Sequence, residues 1–445
     1  MKYKSSFAME KKVKIIISTI FQNGGEATRA LEMAKIIRKH QPNDYRAEII
    51  FLSHSSPFEK IAREEGFEVC TIEPKAKFAN FHDDFKTRFG ELIGDYDVAK
   101  EYLESEIAIY KRLKPDIVLH GFYPIAGIAK RMVTPHIPSI AFLPLPLTEN
   151  YLDEIKAFPD ELPMARLPKW LQKFVIKSIP RKMMLKNPAL RHSVIAQAAF
   201  DLGWDKSQPL RGTFDMLRSE NYLINDFPFF YKKENYEGNF LFTGAIYSET
   251  ISKENNDPEI IKWLLADNKR KKVFCTLGTS GDKHHLIEVI KVFNEGEGKQ
   301  WSAIILSPPA ICDLEEAKKY VKNSNVYITN QFVNAKEINE KADVVICHGG
   351  QGTLQTAITS GTPLVGIATQ PEQQINLEHL SEFGMAERIS YWNWKATYIR
   401  KKVSKILSHT TYKEKAETLN KLSQTIPTKQ LIGERVWDII KNLSL

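Results

Sequence analysis

The chain has 445 residues, 43% of them apolar and 26% charged, which is ordinary for a folded protein and too long for one compact core, so two domains of roughly 200 residues are expected. Its 62 Lys and Arg against 54 Asp and Glu leave a net charge of +8. No apolar run reaches the roughly 18 residues of a spanning helix. Residues 1–12 are polar and lack a signal-peptide core, and no basic aromatic surface or reading-helix motif points to nucleic acid, so a cytoplasmic protein is expected.

In the first half, apolar strand-like runs are predicted at 13–18, 47–52, 116–120 and 139–143. Between the first two lies a helical pattern with Ala30, Leu31, Met33, Ala34 and Ile37 on one side, and Asn23-Gly24-Gly25 sits just after the first strand. The second half repeats this order, with runs at 272–277, 302–306, 326–328, 343–347 and 364–367 separated by helical stretches. Parallel sheets with helices on both faces follow from that alternation. The polar stretch at 236–258 is placed between domains, and the tail near residues 431–445 is an amphipathic helix carrying Val436, Trp437, Ile440 and Leu443. Cys70, Cys275, Cys312 and Cys347 have neither metal nor redox spacing, so reduced thiols are expected.

The most specific pattern begins at Asp343-Val-Val-Ile-Cys347 and continues as His348-Gly-Gly-Gln-Gly-Thr353 into a helical stretch ending near Gly361-Thr-Pro363. A strand, a small-residue turn and a helix together make an anion site, because glycine lets the backbone approach a ligand and the first helical N–H groups are unpaired. His348 and Thr353 can add donors. A second run at 364–367 leads to Gln370-Pro-Glu-Gln373 and Asn376, at the same sheet edge. The alternative reading is a plain tight connection.

From His348 to Asn376 the chain resembles the nucleotide-sugar signature of the family-1 glycosyltransferases, like bacterial macrolide, flavonoid and sterol UDP-glycosyltransferases. The resemblance implies an α/β protein of GT-B fold, with two Rossmann-like doubly wound parallel-sheet domains facing a cleft. The acceptor-binding domain would be 11–235, the linker 236–258, the donor domain 259–430, and 431–445 a helix crossing back to the first domain. It implies that His348, Gly349, Gly350, Gly352 and Thr353 hold a diphosphate while Glu372 and Gln373 hold sugar hydroxyls. Gly278, Thr279 and Ser280 match a small-residue loop over the phosphates, though a plain glycine turn would look the same. Phe332 and Val333 stand where relatives face the base, with core packing of Phe332 as the alternative. Where many relatives carry a ribose-binding Glu, this chain has Thr356, which offers a weaker bond. The donor is a substrate, expected to be a UDP-sugar, and neither a cofactor nor a metal is implied.

The catalytic side departs from the family. Glu26 stands where relatives have a His in the first loop, and Gly121 where they have the Asp that orients it. A carboxylate has no tautomer to fix, so Glu26 could serve as base without that Asp. His120 is the rival base, and a helix-initiating role for Glu26 is the alternative. His82, Asp83 and Asp84 form a further polar cluster without metal-ligand spacing.

Between residues 162 and 200 there is no Asp or Glu, while Arg166, Lys169, Lys173, Lys177, Arg181, Lys182, Lys186 and Arg191 supply eight positive charges, equal to the whole excess. Lys169, Lys173, Lys177 and Arg181 fall on one predicted helical face and Trp170, Leu171, Phe174 and Val175 on another, with Pro180 interrupting. Contact with a lipid-like acceptor or with an anionic membrane surface, peripheral on its inner face, is weighed against a solvated face on a packed helix. These readings sum to an inverting, metal-independent hexosyltransferase acting on a small, hydrophobic or lipid-like hydroxyl acceptor. The alternatives are a sugar-nucleotide epimerase of the same fold and a non-catalytic nucleotide-sugar or lipid-binding module.

Overall fold

A computed structural model describes residues 10–77, 84–87, 91–160, 162–186, 192–231, 239–246, 257–266, 269–278 and 281–443. The chain divides into two compact units, the first made of Met1–Leu152, Pro180–Ile246 and Pro427–Leu445, the second of Asp153–Ile179 and Tyr247–Ile426. Among the described residues no helix is long and apolar enough to cross a membrane.

The first unit holds a parallel sheet of β1 (Lys11–Ser18), β2 (Tyr45–Ser53), β3 (Glu68–Thr71), β4 (Ile117–His120), β5 (Ser139–Leu143), β6 (Asn221–Ile224) and β7 (Phe240–Phe242), in the order β3-β2-β1-β4-β5-β6-β7. The register pairs Ser18 with both Leu52 and His120, so β1 and β4 end level at the same edge. Helix α1 (Gly24–Lys39) follows β1 and buries Ala30, Leu31, Met33, Ala34 and Ile37, as its 3.6-residue spacing predicts. Helix α2 (Tyr96–Leu113) starts at the Asp95 side-chain cap and covers the sheet through Tyr102, Leu103 and Ile109.

The second unit repeats the plan with β8 (Lys272–Thr276), β9 (Ser302–Leu306), β10 (Val326–Thr329), β11 (Val344–Cys347), β12 (Leu364–Ile367) and β13 (Ala386–Ile389), in the order β10-β9-β8-β11-β12-β13. Its strands are all parallel. Helix α3 (Lys169–Ser178) belongs to this unit, α4 (Gln351–Thr359) follows β11 and α5 (Pro371–Phe383) follows β12.

Segment 153–179, read in the sequence as part of the first domain, is held by the second unit. Its anchor is Asp160, which is paired with Arg388, accepts from Tyr391 N–H and receives the Trp392 indole on its carbonyl, while the Gln374 carboxamide bonds both Asp160 N–H and Phe158 O. These partners lie more than 200 positions away, which no local pattern could announce. The last helix, α6 (Thr428–Lys441), lies in the first unit against α1. Trp437 Nε1 donates to Ile37 O at 2.9 Å, and a Cβ at Gly433 would stand 2.3 Å from the His40 ring.

Candidate functional site

In the second unit the site is built around one imidazole. Cys347 ends β11 and His348 follows, 6% exposed; then Gly349 turns with φ +86° and Gly350 caps α4 without a side-chain bond. A Cβ at Gly278, itself at φ +61°, would lie 2.5 Å from His348 Cε1, and one at Gly350 would lie 2.4 Å from Nε2, so the ring fits only between two glycines. Burial pushes the His348 pKa down to about 4, partly opposed by a hydrogen bond to the Thr276 backbone, so the ring is neutral near pH 7. Its Nδ1 is buried without a hydrogen-bond partner among the described residues.

Gly349 has no alternative residue. A Cβ there would meet the Gln373 carbonyl at 2.7 Å and Leu377 Cγ at 2.8 Å, besides the strained φ. Gly352 differs, since a Cβ there would have no heavy atom within 4 Å. The first amide of α4 to reach back is Leu354, to Gly350 O at 3.1 Å, so the amides before it have no carbonyl inside the helix to bond. With the dipole of α4 behind them, they form the positive end of a small cradle beside open space at Gly352. Thr353 is half-buried in that first turn.

Glu372 lies in the first turn of α5 and accepts from Asn376 Nδ2 at 2.6 Å, and the same amide donates to Gly349 O at 3.2 Å. Asn376 thus ties the acidic residue to the glycine turn. Gln373 is placed differently from the expectation that it holds sugar hydroxyls. It is 2% exposed, and its Oε1 already accepts from Thr369 N–H and Oγ1, both at 2.9 Å, because α5 turns that side chain inward over the end of β12. Thr356 is similarly committed: it is buried and its hydroxyl donates to Gly352 O at 2.8 Å within its own helix. Phe332 is 79% exposed, which removes the core-packing alternative, and Val333 beside it is half-buried. Thr279 and Ser280 lie outside the described residues, as do His82 and Asp83; Asp84 accepts from Lys77 N–H. Among the described residues no group of three or more His, Cys, Asp or Glu side chains is arranged to hold a metal ion.

In the first unit, the Asn23 side chain caps α1 by accepting from Gly25 and Glu26 N–H. Glu26 then reaches across to the ends of β1 and β4. Its Oε2 accepts from Thr19 Oγ1 at 2.8 Å and Phe122 N–H at 3.0 Å, and its Oε1 from Arg29 at 2.6 Å, with the side chain 12% exposed. A Cβ at Gly121 would stand 2.1 Å from Glu26 Oε2 and 2.7 Å from Thr19 Oγ1. The missing Asp at 121 and the Glu at 26 are therefore one structural fact, since the carboxylate of residue 26 fills the volume that a side chain at 121 would need. Thr19 and Arg29, which hold it, were not legible beforehand; a hydroxyl and an arginine are too common near strand ends to stand out.

His120 does not suit the part of rival base. It is fully buried in β4, its Nδ1 bonds Gly121 O, and burial with Lys130 nearby pushes its pKa down to about 3. In β4 its side chain is enclosed between the sheet and its covering helices, so an imidazole that titrates so low takes no proton near pH 7.

The basic stretch also differs from its reading. Helix α3 stops at Ser178, two residues before Pro180, and Arg181 beyond it bonds Glu149, so the row of cations ends at Lys177. The packed face is Gln172 and Ile176, Gln172 donating to Ala165 O and Leu167 O and accepting from Phe158 N–H. Trp170 and Phe174, read with the lysines as candidates for membrane or acceptor contact, are 72% and 70% exposed and take no part in the packed face. Arg191 lies outside the described residues.

Residues 315–438 match the family described as the erythromycin biosynthesis protein CIII-like C-terminal domain. The chain is 20% identical over 326 residues to a PGL/p-HBAD biosynthesis rhamnosyltransferase of Mycobacterium bovis, covering 72% of this chain and 66% of that protein. It is 25% identical over 175 residues to the NDP-glycosyltransferase YjiC of Bacillus licheniformis, covering 38% and 41%. The chain thus spans just under two thirds of the length of the first of these relatives. Among solved structures, the spinosyn forosaminyltransferase SpnP superposes with a TM-score of 0.64 at 12% identity, covering 96% of this chain and 99% of that one. The spinosyn rhamnosyltransferase SpnG complexed with thymidine diphosphate gives 0.59 at 13%, covering 96% and 100%. At such identities the likeness establishes the fold, two parallel Rossmann-like sheets of the GT-B type.

Proposed function

We propose that this chain, which belongs with the macrolide-type GT-B glycosyltransferases of family 1, transfers a hexosyl group from a nucleoside-diphosphate sugar to a hydroxyl of an acceptor, with inversion and without a catalytic metal. The observation that carries the donor half is the His348 turn. There a neutral imidazole, the early amides of α4 and an Asn376-anchored Glu372 converge on one sheet edge. Preorganised N–H donors favour the charge that develops on a departing diphosphate and need no reorganisation when the bond breaks. Thr353 adds a hydroxyl, Glu372 suits sugar hydroxyls, and the exposed Phe332 ring suits stacking on a pyrimidine base. UDP is the first nucleotide to test, and dTDP the second, because a solved neighbour carries thymidine diphosphate.

In the chemical step the acceptor oxygen attacks the anomeric carbon while the bond from that carbon to the diphosphate oxygen breaks. The hydroxyl proton passes to a base, and we assign this to Glu26, whose carboxylate is oriented by Thr19, Phe122 N–H and Arg29 in place of a His–Asp pair. With two Rossmann-like units, donor and acceptor can be bound on separate frames.

Calorimetric titration of UDP and dTDP, paired with a product assay across acceptors, tests the reading. Binding to wild type that is lost in His348→Ala supports it; binding of neither nucleotide overturns it. Product formed without any acceptor would instead favour the epimerase alternative, and tight donor binding without turnover the non-catalytic one.

A further inference from the structure

The α3 stripe of the second unit plays no part in the chemistry above. At about 100° per residue, Trp170, Lys173, Phe174 and Lys177 fall within an arc of about 100°, whereas the buried Gln172 and Ile176 centre about 130° away. All four stripe residues are exposed, the two aromatic rings by 72% and 70%. Just before the helix, Leu162 and Met164 are also exposed, by 40% and 43%. Two large aromatics standing out of a helix beside two lysines are costly to leave in water without a use.

We propose that this stripe docks the protein on the headgroup region of an anionic lipid bilayer. Charge complementarity is the first reason. Residues 162–200 contain no Asp or Glu, so the lysines of the stripe have no acidic neighbour on their own segment. Glu378 and Glu382 of α5 interact electrostatically with Lys169, which lies outside the stripe. Size is the second reason. A ten-residue helix is about 15 Å long, so one face of it is far smaller than the roughly 800 Å² per partner of a standard protein interface. A bilayer is continuous and needs no matching shape; a Trp and a Phe entering the headgroup boundary with lysines at its surface is how short interfacial helices bind.

The test is co-sedimentation of the full chain with phosphatidylcholine vesicles that do or do not contain 30% phosphatidylglycerol, on the order of the anionic content that sets a surface potential. Binding to the anionic vesicles, weakened by raised salt and absent from the neutral ones, is the expected result. Each lysine near such a surface contributes about fivefold in affinity, so Lys173→Gln with Lys177→Gln should lower binding roughly 25-fold. Trp170→Ser with Phe174→Ser should abolish it while thermal unfolding stays unchanged, as both rings are outside the packed face. Undiminished sedimentation of either variant overturns the proposal. So does equal binding to both vesicle types, or aromatic-dependent self-association without lipid, which would make a second copy the occupant.

Discussion

Glycine makes room for a functional side chain in both units, but with opposite results. In the second unit Gly278 and Gly350 part around the His348 ring, and a Cβ at Gly352 would meet no neighbouring group. In the first unit Gly121 admits the Glu26 carboxylate, which three donors already hold. On the proposed reading one site receives charge from outside, whereas the other supplies its own charge and fixes it. A glycine in a sequence therefore announces that something approaches closely; which atom approaches is decided by the fold.

The comparison can be broken most forcefully at Glu26. Glu26→Gln keeps the shape but removes the proton acceptor, and turnover should fall at least about 100-fold with nucleotide affinity unchanged. Turnover within threefold of wild type, roughly the scatter of such contributions, would take Glu26 out of the chemistry. Next comes Gly121→Ala, which places a methyl where the Glu26 oxygen sits and should cost about 1–3 kcal/mol in denaturant unfolding. The double variant with Glu26→Ala should recover most of that loss, and strict additivity would deny that the two positions share one volume.

Gly352→Ala sharpens the contrast on the donor side. Because the added methyl meets nothing within 4 Å, unfolding should be unchanged or favoured by roughly 0.5–1 kcal/mol, as Ala suits a helix better than Gly. Nucleoside-diphosphate affinity should nevertheless drop about tenfold, since the phosphates need the bare backbone. Unchanged affinity would move the anion away from this turn.

The smallest effects come from pH. His348, with its pKa lowered to about 4, stays neutral where an unfolded imidazole takes up a proton, so the stability it lends is complete above pH 6.5 and is lost as pH falls toward 4. Nucleotide binding should show no titration of this group between about pH 5 and 8. In the first unit Glu106 has the opposite sign. It is fully buried, accepts from Ser18 and Tyr110, and burial raises its pKa from 4.5 to about 7. The folded state therefore holds a proton that the unfolded state releases, and stability declines as pH rises from 4.5 through 7. Glu106→Gln should raise the thermal midpoint at pH 8 by a few degrees and leave it unchanged near pH 4.5; a uniform shift at both would refute the assignment.

The legible part of the fold is its centre. Strands β1, β2, β4, β5, β8, β9, β11 and β12 are buried apolar runs, and their predicted limits differ from those observed by at most two residues. Strands β3, β6, β7 and β13 were not predicted. Three of them lie at sheet edges, and all are three or four residues long with polar or half-buried positions, so no run stands out. In the site, the residues His348, Gly349 and Gly350 were readable because steric need is local to a turn. The engagement of Gln373 with Thr369, the back-bond of Thr356 and the burial of His120 depend on where whole helices and sheets lie.

From its order of residues this protein determined two parallel α/β units, the glycine turn after β11 and the helix that follows it, since hydrophobic period and backbone freedom act within a dozen positions. Only the tertiary structure decided that segment 153–179 joins the second unit, that Trp170 and Phe174 point outward, and that Glu26 fills the place left by Gly121. Each of these rests on contacts between residues that are about 100 or more positions apart, or on the face a helix turns to a distant neighbour. Such choices are made by packing and carry no local signature.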